Sequence, residues 1–125
     1  MDFVNPLEFR LSTAQIADET YVVTLAGELD LADTGKVDAE LELLGDEGAR
    51  SVIVDLLAVP FLESSAVGLL LRHSRKLRLK GGSLTLVSDD VRIARVLEIS
   101  GLTSHFRIRP TLSEAIGDAV AEAYS

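Results

Sequence analysis

The stretch from Val52 to Gly82 constrains the fold more than any other part of the chain. It opens with Val52, Ile53, Val54, Asp55, Leu56 and Leu57, a mostly apolar run without alternation. That is the pattern of a strand covered on both faces. Pro60 breaks the run. After Phe61-Leu62-Glu63-Ser64-Ser65 the apolar spacing becomes helical, with Val67, Leu70, Leu71 and Leu77 on one stripe. Gly81-Gly82 then closes a helix over 64–80 at a left-handed cap. Two serines therefore lie in the first turn of a helix, just beyond a buried strand.

The flanking segments extend the same alternation. Leu7, Phe9 and Leu11 alternate with Glu8, Arg10 and Ser12 and read as a half-exposed first strand. Tyr21, Val22, Val23, Leu25 and Ala26 read as a second strand, ended by Gly27. Gly27-Glu28-Leu29-Asp30 is a turn, and a helix is predicted from near Asp33, with Val37, Leu41 and Leu44 inward and Gly45 and Gly48 beyond its end. Ser83–Val87 is a further strand. Ser88-Asp89-Asp90 opens a helix carrying Ile93, Val96 and Leu97, which Gly101 stops. His105 to Ile108 reads as a short edge strand. Thr111 and Glu114 match a capping box, and Leu112, Ala115, Ile116, Ala119, Val120 and Ala123 stripe a last helix.

The order β-β-α-β-α-β-α-(β)-α predicts an α/β domain with parallel pairing and right-handed crossovers. Segments 27–30, 63–65 and 88–90 are expected to gather beyond the carboxyl ends of the strands, where such sheets carry their sites. No repeat or dividing linker is present, so residues 1–125 read as one domain with its core over about 7–122.

Composition narrows the function classes. With 47% hydrophobic and 26% charged residues and no apolar run of about 18, a soluble domain without membrane insertion is expected. No basic-then-apolar leader is seen, which points to a cytoplasmic protein. The absence of cysteine excludes disulfides, thiolate catalysis and cysteine-held metal. The net charge of −8 is uneven: residues 1–50 hold 12 acidic and 3 basic side chains, residues 51–125 hold 8 and 9. Such a chain is a poor direct ligand for nucleic acid and suits a basic partner surface.

Catalysis finds little support. A serine nucleophile needs a base within hydrogen-bond reach, and His73 sits nine residues after Ser64 on one helix, about 13 Å along its axis. The other histidine, His105, lies in a loop. There is no G-x-S-x-G elbow, Walker loop or G-x-G-x-x-G cradle. With carboxylates scattered and two histidines 32 positions apart, no metal and no cofactor are expected. Arg72, Arg75, Lys76, Arg78 and Lys80 suit the end of a helix dipole and read as a solvated face. An enzyme is therefore not expected.

Glu63-Ser64-Ser65 has two compatible readings. Acidic and hydroxyl residues cap helix starts by accepting from free amides. A helix start also tolerates a phosphate, which adds about −1.5 to −2 charges and would oppose docking of an acidic or apolar partner group.

At this point the residues resemble a known family. Asp55, then Phe61-Leu62-Glu63-Ser64-Ser65-Ala66-Val67-Gly68-Leu69-Leu70, followed by Gly81-Gly82 and Ser83–Val87, is similar to the core of the STAS domain, and more specifically to bacterial anti-sigma factor antagonists. Gly27-Glu28-Leu29-Asp30 resembles the family's turn after its second strand, and Val96 to Leu102 with Phe106 its third helix and following turn. The likeness runs over about residues 7–122. The family's centre is Asp-Ser-Ser/Thr-Gly, from which Glu63 and Ala66 depart.

The resemblance implies a single STAS-like α/β fold, with a mixed, mostly parallel sheet of four to five strands and about four helices. It implies that the unphosphorylated protein binds an anti-sigma factor, an ATP-dependent serine kinase, and so frees a sigma factor. The kinase would phosphorylate Ser64, with Ser65 the second choice, and a phosphatase would reverse it. Partner binding would involve Asp30, Glu63, Ser64, Ser65, Ala66 and Val67. The alternative is a STAS adaptor subunit of a lipid-transport or stress-signalling complex that no longer cycles. A small acyl hydrolase using Ser64 lacks a base and is set aside.

Overall fold

A computed structural model describes residues 5, 7–99, 101 and 106–124. The elements follow the expected order: β1 (Arg10–Ala17), β2 (Thr20–Ala26), α1 (Leu31–Asp46), β3 (Ser51–Ala58), α2 (Ser64–Leu79), β4 (Ser83–Val87), α3 (Val91–Ile99), β5 (Arg107–Arg109) and α4 (Leu112–Ala123). The strands form one sheet in the order β1-β2-β3-β4-β5. Only the β1–β2 hairpin is antiparallel; the other three pairings are parallel. This is the mixed, mostly parallel α/β sheet with four helices that the alternation and the resemblance predict.

The side-chain period of two divides the sheet into two faces. Val23 and Leu25 of β2, Val52, Val54 and Leu56 of β3, and Leu84 and Leu86 of β4 point into the larger core. Helices α1, α2 and α3 close that face through Val37, Leu41 and Leu44, through Val67, Leu70 and Leu77, and through Ile93 and Leu97. Val22, Ile53 and Val87 point the other way, against Ala115 and Ala119 of α4. The central strand β3 is thus covered on both faces, as its mostly apolar run predicts.

Several boundaries differ from the sequence reading. β1 begins at Arg10 rather than Leu7 and continues to Ala17. The carbonyl of Leu7 instead accepts from the Glu28 amide at 2.9 Å, which docks the 7–8 segment on the turn after β2. α1 starts at Leu31, two residues before the expected Asp33, because Asp30 is its cap. Gly45 lies inside α1, and Gly48, with φ +93°, makes the turn beyond it. The box at the start of α4 is only half formed: the Thr111 hydroxyl accepts from the Glu114 amide at 3.2 Å, without the reciprocal bond. His105, Ser100 and Leu102 lie outside the described residues. Among the described residues no helix is long and apolar enough to cross a membrane.

Candidate partner-binding site

The approach to Ser64 is shaped by a bulge. Thr24 pairs with Asp55, and Ala26 with Ala58, so β3 carries one extra residue at its carboxyl end. The buried Asp55 side chain accepts the Leu57 amide at 2.9 Å, which satisfies a donor that the irregular ladder leaves over. The Leu56 carbonyl then accepts from Val59 at 3.0 Å, closing a turn just before Pro60. Val59 and Leu62 are buried anchors, whereas Phe61 between them is 63% exposed. The anchors hold the loop and aim Phe61 outward. The chain enters α2 at Ser64, with the first helical bond from the Val67 amide to the Glu63 carbonyl at 3.1 Å.

Ser64 and Ser65 are both exposed in that first turn. Glu63 occupies the N-cap position in extended conformation, yet its side chain makes no cap hydrogen bond. The capping reading of Glu63 is therefore not met, because its carboxylate stands one methylene further from the backbone than that of aspartate. α1 offers the contrast: Asp30 accepts from the Asp33 amide at 2.8 Å while Asp33 accepts from the Asp30 amide at 3.2 Å. That Asp33 amide is the main reason the Asp30 carboxyl is held below the ordinary carboxylate range.

Ala66 and Val67, expected to touch a partner, are buried instead, each 3% exposed. They follow the α2 stripe into the larger core, so they support the surface from beneath. The Ala66 methyl consequently does not obstruct an approaching partner.

The topology brings Asp30 and Glu63 to one groove, lined also by Leu7, Glu8, Phe9, Glu28, Leu29, Asp33 and Lys36. Five of these side chains are carboxylates and one is an ammonium, and Lys36 sits 3.5 Å from Asp33. Leu31 and Leu57 add exposed apolar surface at the same sheet edge as Phe61. Ser88–Asp90 follows β4 at that edge but does not line the groove. Asp90 turns along its own helix and accepts from the Arg92 guanidinium at 2.8 Å. The arrangement is an exposed serine pair beside an acidic groove with apolar flanks, which suits docking of a surface that is basic at its rim and apolar within.

Among the described residues no histidine stands beside Ser64. His73 is buried, and its Nε2 lies 2.7 Å from Asp38 Oδ1 on α1. That hydrogen bond, with help from Arg72, holds the Asp38 carboxyl below its ordinary range. The basic tail of α2 is partly engaged with α1: Arg72 pairs with Asp38 at 2.7 Å, Lys76 with Glu42 at 2.7 Å, and Lys80 donates to the Gly45 carbonyl at 3.0 Å. Asp38, Glu42 and His73 thus meet, although His73 lies more than thirty positions from either carboxylate in the chain. Linear spacing hides this cluster; an acidic i, i+4 pair on α1 and an i, i+3 His-Lys pair on α2 are the signals it leaves.

Comparison with known proteins agrees with the geometry. The family model for the STAS domain matches residues 12–115. The chain is 30% identical over 91 residues to the putative anti-sigma factor antagonist BtrV of Bordetella bronchiseptica, covering 73% of this chain and 78% of that protein. It is 29% identical over 85 residues to the anti-sigma-B factor antagonist of Staphylococcus aureus, covering 68% and 79%. The Bacillus cell fate determinant SpoIIAA in its phosphorylated form superposes with a TM-score of 0.70 at 29% identity, covering 89% of this chain and 98% of that one. SpoIIAA in its unphosphorylated form, named an anti-sigma factor antagonist, gives 0.77 at 29% identity over 91% and 97%.

Proposed function

The chain belongs to the STAS domain family, and we propose that it is an anti-sigma factor antagonist whose docking is switched off by a phosphate on Ser64. The unmodified protein binds an anti-sigma factor and so frees a sigma factor for transcription. The anti-sigma factor is a serine kinase that uses ATP, and a phosphatase restores the binding form. The antagonist itself performs no catalysis.

One observation carries this reading: Ser64 is exposed at the first position of α2, beside the groove that gathers Asp30 and Glu63. A partner that closes over this groove must match five carboxylates with positive charge and cover Phe61. A phosphate at Ser64 adds about −1.5 to −2 charges at the rim of that interface. The first amides of α2 and the positive end of its dipole accommodate the group without unfolding the helix. The Glu63 side chain forms no competing cap bond there. Docking weakens because the dianion must be desolvated against an apolar, partly acidic surround. The names of SpoIIAA in both phosphorylation states and of the two sequence relatives support the reading.

The test is incubation with the cognate kinase and ATP, followed by peptide mapping by mass spectrometry. Phosphate is expected on Ser64, not Ser65. Ser64→Ala retains partner binding, and Ser64→Asp binds weakly. A protein that is never phosphorylated and co-purifies with a transporter ATPase would instead be the non-cycling adaptor.

A further inference from the structure

The seam between α1 and α2 holds a cluster that partner docking at Ser64 does not use. Asp38 and Glu42 stand one turn apart on α1, and His73 faces them from α2. Each offers one ligand atom, and the three atoms lie within 4.8 Å of one another. We propose that Asp38, Glu42 and His73 form a binding site for a divalent transition-metal ion of the zinc class.

Three features support the assignment. The donor set, one imidazole nitrogen and two carboxylate oxygens, is drawn from the ligand types that zinc-class ions take in proteins. The imidazole is fixed by burial, its side chain only 4% exposed, whereas the carboxylates are 44% and 52% exposed and reachable from solvent. Ligand atoms around a four-coordinate ion with bonds of about 2.0–2.2 Å lie roughly 3.3–3.5 Å apart, so an ion would part Asp38 from its 2.7 Å contact with His73 and draw Glu42 in. A cavity of about 290 Å³ lies beside the cluster, lined by two of the three ligand residues, Glu42 and His73, together with Lys76, Leu41, Val52 and Leu77. Water completes the coordination from that side.

The cluster also contains its own competitor. Lys76 holds Glu42 at 2.7 Å, and Arg72 holds Asp38 at 2.7 Å. An entering cation must displace Lys76 from Glu42, while His73 must present Nε2 without its proton. Removing the lysine charge therefore tightens metal binding, a result that a purely structural ion-pair cluster does not give. A bound ion would clamp α1 to the helix whose first residue is Ser64.

The experiment is isothermal titration of the full chain with zinc chloride at pH 7.5 in a non-chelating buffer, with magnesium chloride as the comparison. One zinc ion per chain is expected, with no comparable magnesium signal. Glu42→Gln and His73→Gln each weaken binding by about tenfold or more, and Lys76→Gln strengthens it several-fold, at about the scale of a lost ion pair. Glu42 is exposed, so Glu42→Gln keeps the test valid if His73→Gln fails to fold. His105→Ala leaves binding unchanged. The proposal is overturned by the absence of saturable zinc binding. It is equally overturned if Glu42→Gln and Lys76→Gln leave the affinity at the parent value, or if His105→Ala abolishes it.

Discussion

Gly27→Ala probes the turn that sets Asp30 in place. Gly27 has φ +83°, and a Cβ built on it falls 2.3 Å from the Glu8 carbonyl oxygen and 2.9 Å from that of Leu7. Both neighbours are backbone, so neither can swing aside. The left-handed conformation costs an alanine about 1–2 kcal/mol. Lifting the 7–8 segment also breaks the bond from the Glu28 amide to the Leu7 carbonyl, about 1 kcal/mol more. The expected loss is therefore about 2–3 kcal/mol. For a chain of 125 residues the unfolding entropy is about 0.26 kcal/mol/K, which converts that loss into a Tm lower by about 8–12 °C. Gly35→Ala is the internal control. Gly35 lies within α1, and a Cβ there meets nothing within 4 Å. Alanine is the better helix former by about 0.5–1 kcal/mol, so its Tm rises by about 2–4 °C. Thermal unfolding followed by circular dichroism reads both. A shift of both variants in the same direction, or a Gly27→Ala melt within about 2 °C of the parent, would refute the role assigned to this turn.

Two further outcomes follow from the helix starts. Glu63→Asp shortens the carboxylate at an uncapped helix and is expected to form the missing bond, raising stability by about 0.5–1 kcal/mol in urea unfolding; unchanged stability would mean that the loop geometry, not side-chain length, prevents the cap. Asp30 has a folded-state pKa lowered chiefly by the Asp33 amide, so its contribution is fully present above the unfolded carboxylate value of about 3.9 and is lost as pH falls through the lower folded value. Asp30→Asn removes that contribution, so it should melt slightly lower than the parent at neutral pH and flatten that part of the acid-unfolding profile, the two proteins converging in acid; an identical pH profile would contradict the assignment.

How much of this was legible beforehand depended on whether the signal was local. The mostly apolar Val52–Leu57 run, short and rich in β-branched residues, points to a doubly covered strand, and the switch to a four-three spacing after Ser65 points to a helix. β4 matched at both ends for the same reason. The errors arose where two local patterns compete. Alternation over residues 7–11 suits a strand or an extended arm, and only the docking of Leu7 on Glu28 decides between them. Asp30 and Asp33 form the complete capping box in a D-x-x-D spelling, while the better-spelled Thr111 and Glu114 pair forms half of one. The sequence pattern sets Gly45 beyond the end of α1, but it stays helical because Leu44 beside it is buried and the positive-φ turn is supplied by Gly48. At the site, Ser64 and Ser65 emerge on the surface in the open first turn of α2, whereas Ala66 and Val67, read from the sequence as partner contacts, pack into the core. The missing Glu63 cap and the Asp38–Glu42–His73 cluster depend on side-chain reach and helix packing, which spacing alone does not carry.

The central claim is that one phosphate on Ser64 separates two partners without unfolding the antagonist. It is tested most directly by titrating the anti-sigma factor with unmodified protein and with protein phosphorylated at Ser64, both confirmed folded by circular dichroism. The account predicts saturable binding of the unmodified form and at least about tenfold weaker binding of the phosphorylated form, a difference of about 1.4 kcal/mol. Equal affinities for the two forms would contradict it.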